Sequence, residues 1–254
     1  MPDGELIYIP GAGGPNLAAR LDCPPGAPRA YAVFAHCFTC SKDSLAAAHI
    51  GRELAERSIA VLRFDFAGLG NSGGDFAATN FTSNVADVIA AVAFLRERFA
   101  APKILIGHSL GGTAILAAAP QIPEACAVVT IGAPYQPSHA IGLLGASRTE
   151  IAARGEADVS LAGRTFRIKQ QFVDDLLGRD TSQSIAGLRK ALLIFHSPAD
   201  STVGIVNAKR IYDAARHPKS FVSLDGADHL LTRRADGAFV AAVLSSWASR
   251  YVEG

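Results

Sequence analysis

One stretch constrains this chain more than any other. Lys103-Ile104-Leu105-Ile106-Gly107-His108-Ser109-Leu110-Gly111-Gly112 runs directly into Thr113-Ala114-Ile115-Leu116-Ala117-Ala118-Ala119. A short apolar run bounded by glycine reads as a buried strand, and the alanine-rich run after it as a helix. Ser109 then stands at the apex of a strand, a tight turn and a helix, in the pattern Gly107-x-Ser109-x-Gly111. Such an apex forces the serine into a strained backbone conformation that pushes its hydroxyl out of the sheet. The glycines leave room for the turn, and the helix behind it aims unpaired N–H groups at negative charge forming beside the serine. A plain glycine turn is the alternative, but the strand before and the helix after favour a nucleophile.

The rest of the chain repeats that rhythm. Residues 5–9 and 16–22 read as an opening β-hairpin around the turn residues Pro10-Gly11-Ala12-Gly13-Gly14-Pro15; no Lys-Ser/Thr pair follows to suggest a phosphate cradle. Strands are expected at 30–35, 59–64, 125–131, 191–196 and 220–224, with helices at about 44–57 and 203–215. Val85, Val88, Ile89, Val92, Leu95 and Phe99 recur at helical spacing over 83–99, and Val240, Val243, Leu244, Trp247 and Tyr251 mark the closing helix. Strands alternating with helices imply a mostly parallel sheet covered on both faces, with its chemistry at the carboxyl ends of the strands. Residues 136–187 break the rhythm. Val159 and Leu161, then Phe166 and Ile168, alternate with polar residues across Ala162-Gly163-Arg164, which predicts a small hairpin flanked by short helices. We read this segment as a cap inserted after the sixth strand of a single 1–254 α/β domain.

Composition removes several function classes. Lys and Arg total 24 against 23 Asp and Glu, so there is no electrostatic case for nucleic acid or an anionic membrane surface. Met1-Pro2-Asp3-Gly4-Glu5 has no basic and apolar leader pattern, and no run approaches the roughly 18 apolar residues of a membrane span, which predicts a cytoplasmic protein. The four cysteines, Cys23, Cys37, Cys40 and Cys126, are too few for a disulfide scaffold. Cys37-x-x-Cys40 is expected to be two packed thiols rather than a zinc half-site or a redox pair, because further ligands at metal spacing and a thioredoxin-like setting are both missing.

Three strand ends carry the candidate chemistry. Ser109 follows one strand, Asp200 another in Phe195-His196-Ser197-Pro198-Ala199-Asp200, and His229 the last in Leu224-Asp225-Gly226-Ala227-Asp228-His229. A neutral hydroxyl needs a base within hydrogen-bond reach and a carboxylate to hold that base in the right tautomer, so His229 is the expected base and Asp200 its orienter. Asp225 and Asp228 are alternative acids but lie close to His229 in sequence. The oxyanion formed on attack needs two N–H donors, expected from Leu110 after the nucleophile and from Phe38 in the loop after the third strand. His36, His108 and His196 end buried strands and are expected to pack or to support their neighbours.

The order serine, acid, histidine resembles the α/β-hydrolase superfamily over essentially the full length. More narrowly, His36-Cys37-Phe38-Thr39-Cys40-Ser41-Lys42-Asp43, the loop Asp65-Phe66-x-Gly68-x-Gly70-x-Ser72 and Gly226-Ala227-Asp228-His229-Leu230-Leu231 are similar to bacterial hydrolases fused to an OsmC-like peroxidase domain. The resemblance implies an α/β-hydrolase fold and a serine esterase of the carboxylic-ester class, acting through an acyl-enzyme on a small-molecule ester without metal or organic cofactor. It also implies a functional link to an OsmC-like peroxidase; the peroxidase half is not part of this sequence, which ends at Gly254. Cys37 stands where the commoner His-Gly oxyanion motif has glycine. Cap residues Ile141, Leu143, Leu144, Phe166, Ile168 and Phe172 would supply an apolar pocket for small to medium acyl groups. A thioesterase, amidase, lactonase or perhydrolase could use the same three residues, and a binding module could keep the fold. A homo-oligomer is left open.

Overall fold

The computed structural model describes residues 5–252; Met1–Gly4, where the leader pattern was sought, and the end at Gly254 lie outside them. The hairpin opens the chain as β1 (Leu6–Pro10) and β2 (Asn16–Asp22), antiparallel to each other. Six strands then run parallel, the first five being β3 (Ala30–Ala35), β4 (Ile59–Phe64), β5 (Ile104–His108), β6 (Ala127–Ile131) and β9 (Ala191–His196). With β10 (Lys219–Ser223) they form one eight-stranded sheet in the order β1-β2-β4-β3-β5-β6-β9-β10, in which β2 meets β4 antiparallel. The sequence shows why the inner strands are central: Ile59-Ala60-Val61-Leu62 and Ile104-Leu105-Ile106 are apolar on both pleat faces and buried on both.

The two faces bury separate cores. Ala32, Phe34, Ile104 and Ile106 point to one side, where α1 (Leu45–Ala55) brings Ile50 and Leu54 and α8 (Arg234–Val252) brings Val240 and Leu244. Val33, Ala35 and Leu105 point to the other, against α2 (Phe81–Arg98), α3 (Leu110–Ala118) and α7 (Val206–Ala214). Asn80 starts α2 with a capping box: its side chain accepts from the Ser83 N–H at 2.9 Å and its own N–H donates to Ser83 Oγ at 3.0 Å. α7 begins three residues later than its apolar pattern suggests, because the N–H groups of Thr202 and Val203 are taken by the Asp200 carboxylate and hold that segment as a turn.

Between β6 and β9 the chain leaves the sheet. A 3-10 turn (Pro137–Leu144) and α4 (Ser147–Arg154) precede a separate hairpin of β7 (Glu156–Leu161) and β8 (Arg164–Lys169), followed by α5 (Gln170–Gly178) and α6 (Ser182–Ala186). Ala162 and Gly163 take φ 49° and 75°, the two positive values that a two-residue hairpin turn requires. Among the described residues no helix is long and apolar enough to cross a membrane.

Candidate active site

Ser109 sits between the last residue of β5 and the first of α3, with φ 54° and ψ −129°. A side chain at positive φ costs on the order of 1–3 kcal/mol, and the surroundings enforce it. The Ser109 N–H donates to Ile131 O at 2.8 Å, so β6 grips the turn from the side. Gly111 allows the close approach on the other side, since a Cβ there would overlap the carbonyl groups of Ala35 and His36 at the end of β3. The strain turns the hydroxyl toward His229, whose Nε2 lies 3.0 Å from Ser109 Oγ.

His229 Nδ1 donates to Asp200 Oδ2 at 2.7 Å, so the three strand-end residues form one hydrogen-bonded line. Asp200 is held by more than the histidine: its other oxygen accepts from Thr202 N at 2.9 Å and Val203 N at 2.8 Å. Burial pushes this carboxyl up, but the hydrogen bonds from His229 and Val203 outweigh burial and keep it below the usual carboxylate value. The other two acids face elsewhere. Asp228 accepts from Leu230 N and caps its own turn, and Asp225 accepts from Ser223 Oγ. Gly132, just after β6, lies flat against the histidine–aspartate bond, where a Cβ would stand 3.3 Å from Asp200 Oδ2 and 3.4 Å from His229 Nδ1.

The supporting histidines fasten the loops of the site. His108 Nε2 donates to His229 O at 2.7 Å, fixing the backbone that carries the imidazole. His196 Nε2 donates to Val203 O at 2.7 Å, behind the Asp200 turn. His36 bridges two loops, with Nδ1 donating to Cys37 O at 2.8 Å and Nε2 accepting from Phe66 N at 3.3 Å. Burial lowers the pKa of all three, and for His108, with His229 beside it, to about 4.

These values set a pH dependence of stability. His108 has a folded pKa of about 4 below an ordinary 6.5, so between those values the unfolded chain binds more protons and stability falls as pH drops. Asp87 on α2 acts in the opposite sense. Burial raises its carboxyl to about 6 although it accepts from Ala67 N at 2.9 Å, so its contribution is lost as pH rises from about 3.8 to 6. Asp87→Asn keeps an acceptor for Ala67 and is expected to raise stability at pH 7.5 by on the order of 2 kcal/mol. The variant should also lose stability more steeply than the parent on acidification, which urea midpoints at pH 7.5 and 5 would measure.

Phe38 and Leu110 meet in a cleft beside the elbow. It is lined by His36, Phe38, Phe66, Leu69, Phe76, Asn84, Leu110, Gly111 and Ala114. Neither Phe38 N nor Leu110 N has a hydrogen-bond partner among the described residues. The cleft is closed by aromatic rings: Phe38 stacks on Phe172 of the cap at 5.5 Å, and Phe76 meets Phe38 at 5.9 Å and Phe166 at 4.9 Å. The pocket wall thus comes from loops after β3 and β4 and from Phe76, with Phe166 and Phe172 as its backing. Ile141, Leu144 and Ile168 are buried within the cap and Leu143 faces outward, so they do not line it. Phe66, Leu69 and Phe76 were missed because they belong to a glycine-rich loop and the short 3-10 turn after it, which have no periodic pattern to read.

The thiol reading of Cys37 and Cys40 is corrected: the two are joined in a disulfide across the Phe38-Thr39 turn. A turn brings cysteines three apart to a Cα separation of 5.3 Å, within the reach of a disulfide, and the apolar surroundings alone did not reveal that turn. Among the described residues no group of three or more His, Cys, Asp and Glu side chains could hold a metal ion.

The profile of a family described as serine aminopeptidase, S33, matches residues 26–157. Over 98% of both chains the sequence is 49% identical to the esterase domain of a Rhodothermus marinus protein, with a TM-score of 0.80. Est1E from Butyrivibrio proteoclasticus, solved with ferulic acid bound, is 21% identical over 98% of this chain and 100% of its own, with a TM-score of 0.85. The mouse α/β hydrolase domain-containing protein 10 is 21% identical over 97% and 99%, with a TM-score of 0.79. No curated protein sequence matches the chain.

Proposed function

Since the chain belongs to the serine aminopeptidase S33 family of α/β hydrolases, we propose that this hydrolase is a serine esterase for carboxylic esters with small to medium acyl groups. The observation that carries this reading is the line from Ser109 Oγ through His229 to Asp200, at 3.0 and 2.7 Å. His229 takes the serine proton as Ser109 attacks the ester carbonyl, and the N–H groups of Leu110 and Phe38 receive the oxyanion. His229 then returns the proton to the departing alcohol, leaving an acyl-enzyme. Water enters by the same route in reverse and releases the acid. Asp200 holds the imidazolium throughout, and no cofactor takes part.

Two observations favour an ester over the N-terminal peptide bond that the family description names. The cleft beside the elbow has no acidic lining residue to pair with a free α-ammonium group. The relative that is 49% identical is an esterase domain. The rings of Phe38, Phe76 and Phe172 close over this cleft, which favours short acyl chains. The motif likeness extends the proposal to a working link with an OsmC-like peroxidase.

Intact mass after a fluorophosphonate probe, on the parent and on Ser109→Ala, tests the nucleophile. A panel of p-nitrophenyl esters and a matching p-nitroanilide tests the bond. One adduct on the parent alone, with kcat/KM highest on acetate to butyrate, is the expected result. An unlabelled but folded parent would overturn the esterase reading, and faster anilide than ester cleavage would move it to an amidase.

A further inference from the structure

We propose that the Cys37–Cys40 disulfide is a thiol–disulfide exchange site that positions the Phe38 oxyanion donor, so that reduction by a small thiol or dithiol lowers catalytic rate; this rests on the esterase reading. Four observations point there. The disulfide spans the two residues of one turn, Phe38 and Thr39, and closes it together with a Cys40 N–H to Cys37 O bond of 3.1 Å. Thr39 stands at φ 65°, a conformation that a β-branched residue adopts only under constraint and that glycine would take freely. Without the crosslink the turn has reason to relax.

The segment on either side is fixed. Before the turn, His36 Nδ1 donates to Cys37 O at 2.8 Å; after it, Lys42 N donates to Asp65 Oδ1 at 2.6 Å. Reduction therefore frees the turn and not the fold. A crosslink between residues three apart also removes little chain entropy from the unfolded state, so global stability is a poor reason for it. The turn touches the pocket as well: the Phe38 ring stacks on Phe172, and the Arg164 guanidinium of the cap hairpin donates to Thr39 O at 3.5 Å.

The exchange balances in two steps. A thiolate attacks Cys40 Sγ, which is half-buried while Cys37 is 3% exposed, and Cys37 leaves as a thiolate that takes a proton. A second thiol attacks the mixed disulfide, freeing Cys40 as a thiol and leaving the reductant as its own disulfide. Oxidised glutathione drives the reverse.

The test compares the oxidised protein, the dithiothreitol-treated protein and Cys40→Ala. Each is read by alkylation and intact mass for free thiols, by kcat and KM on p-nitrophenyl acetate, by fluorophosphonate labelling and by thermal midpoint. Reduction is expected to raise the alkylatable thiols by two and to lower kcat between tenfold and 10²-fold, the upper bound being loss of one oxyanion donor. KM should change less than about threefold, since a donor to the oxyanion acts mainly in the transition state. Oxidised glutathione should restore the rate, and Cys40→Ala should match the reduced parent and ignore reductant. Two new thiols with unchanged kcat overturn the proposal, as does a rise in KM alone, or a protein that keeps all its thiols free under oxidant. A folded protein that neither labels nor turns over in either state overturns the esterase reading and this proposal with it.

Discussion

Asp200→Asn is expected to lower kcat on p-nitrophenyl acetate by about 10⁴, and Ser109→Ala by on the order of 10⁶, with the double variant no worse than Ser109→Ala alone. The asparagine keeps an oxygen for the N–H groups of Thr202 and Val203, so the turn after β9 should hold and the thermal midpoint should move by only a few degrees. Its amide then faces His229 Nδ1 with a donor where the carboxylate had an acceptor. Nδ1 must become the acceptor and Nε2 the protonated nitrogen, which turns a base toward Ser109 into a donor. His108 still grips the His229 carbonyl, so the ring stays in place and the loss is chemical rather than positional. A fall of less than about tenfold would remove Asp200 from the role of orienter, and neither Asp225 nor Asp228 is placed to inherit it.

The elements that were legible in sequence are those whose physics is local. Strand 104–108 and helix 110–118 follow from an apolar run, a glycine turn and alanines, and the hairpin at 156–169 from alternation around Ala162-Gly163. The juxtaposition of Ser109, Asp200 and His229 followed from topology, because parallel strands end on one edge. What was hidden depends on contacts between loops. Nothing near Gly132 in sequence says that its missing side chain makes room for the histidine–aspartate bond. The cleft wall of Phe66, Leu69 and Phe76 is built by the loop after β4 folding back on the loop after β3, and His36 joins them through Phe66 N. The motif that carries Lys42 and Asp65 was visible as a resemblance, but not that their charges are buried against each other.

That burial carries the second large expectation: Asp65→Ala should destabilise the fold by about 3–5 kcal/mol. Asp65 has no exposed surface and accepts from Lys42 Nζ at 3.0 Å, from Lys42 N at 2.6 Å and from Asn71 N at 2.9 Å. Beside it Arg63, also buried, forks onto Asp22 at 2.5 and 2.9 Å and donates to Lys42 O. Removing the carboxylate leaves the buried Lys42 ammonium with only the half-exposed Asp43 at 3.0 Å and Asn71 Oδ1 at 2.9 Å, and leaves two backbone donors without an acceptor in a dry interior, a cost that exceeds what the pair itself contributes. The controls separate these terms. Asp65→Asn keeps an acceptor for part of the backbone and loses the charge, so it should cost less than alanine. Adding Lys42→Met to Asp65→Asn removes the ammonium and should recover part of the stability, giving a coupling of about 1–3 kcal/mol in urea unfolding. Simple additivity would mean that Asn71 and Asp43 already neutralise Lys42 without Asp65. Lys42 lies two residues beyond Cys40, so the Asp65 variants that stay folded should also lose kcat in proportion to the slack they give the Phe38 turn.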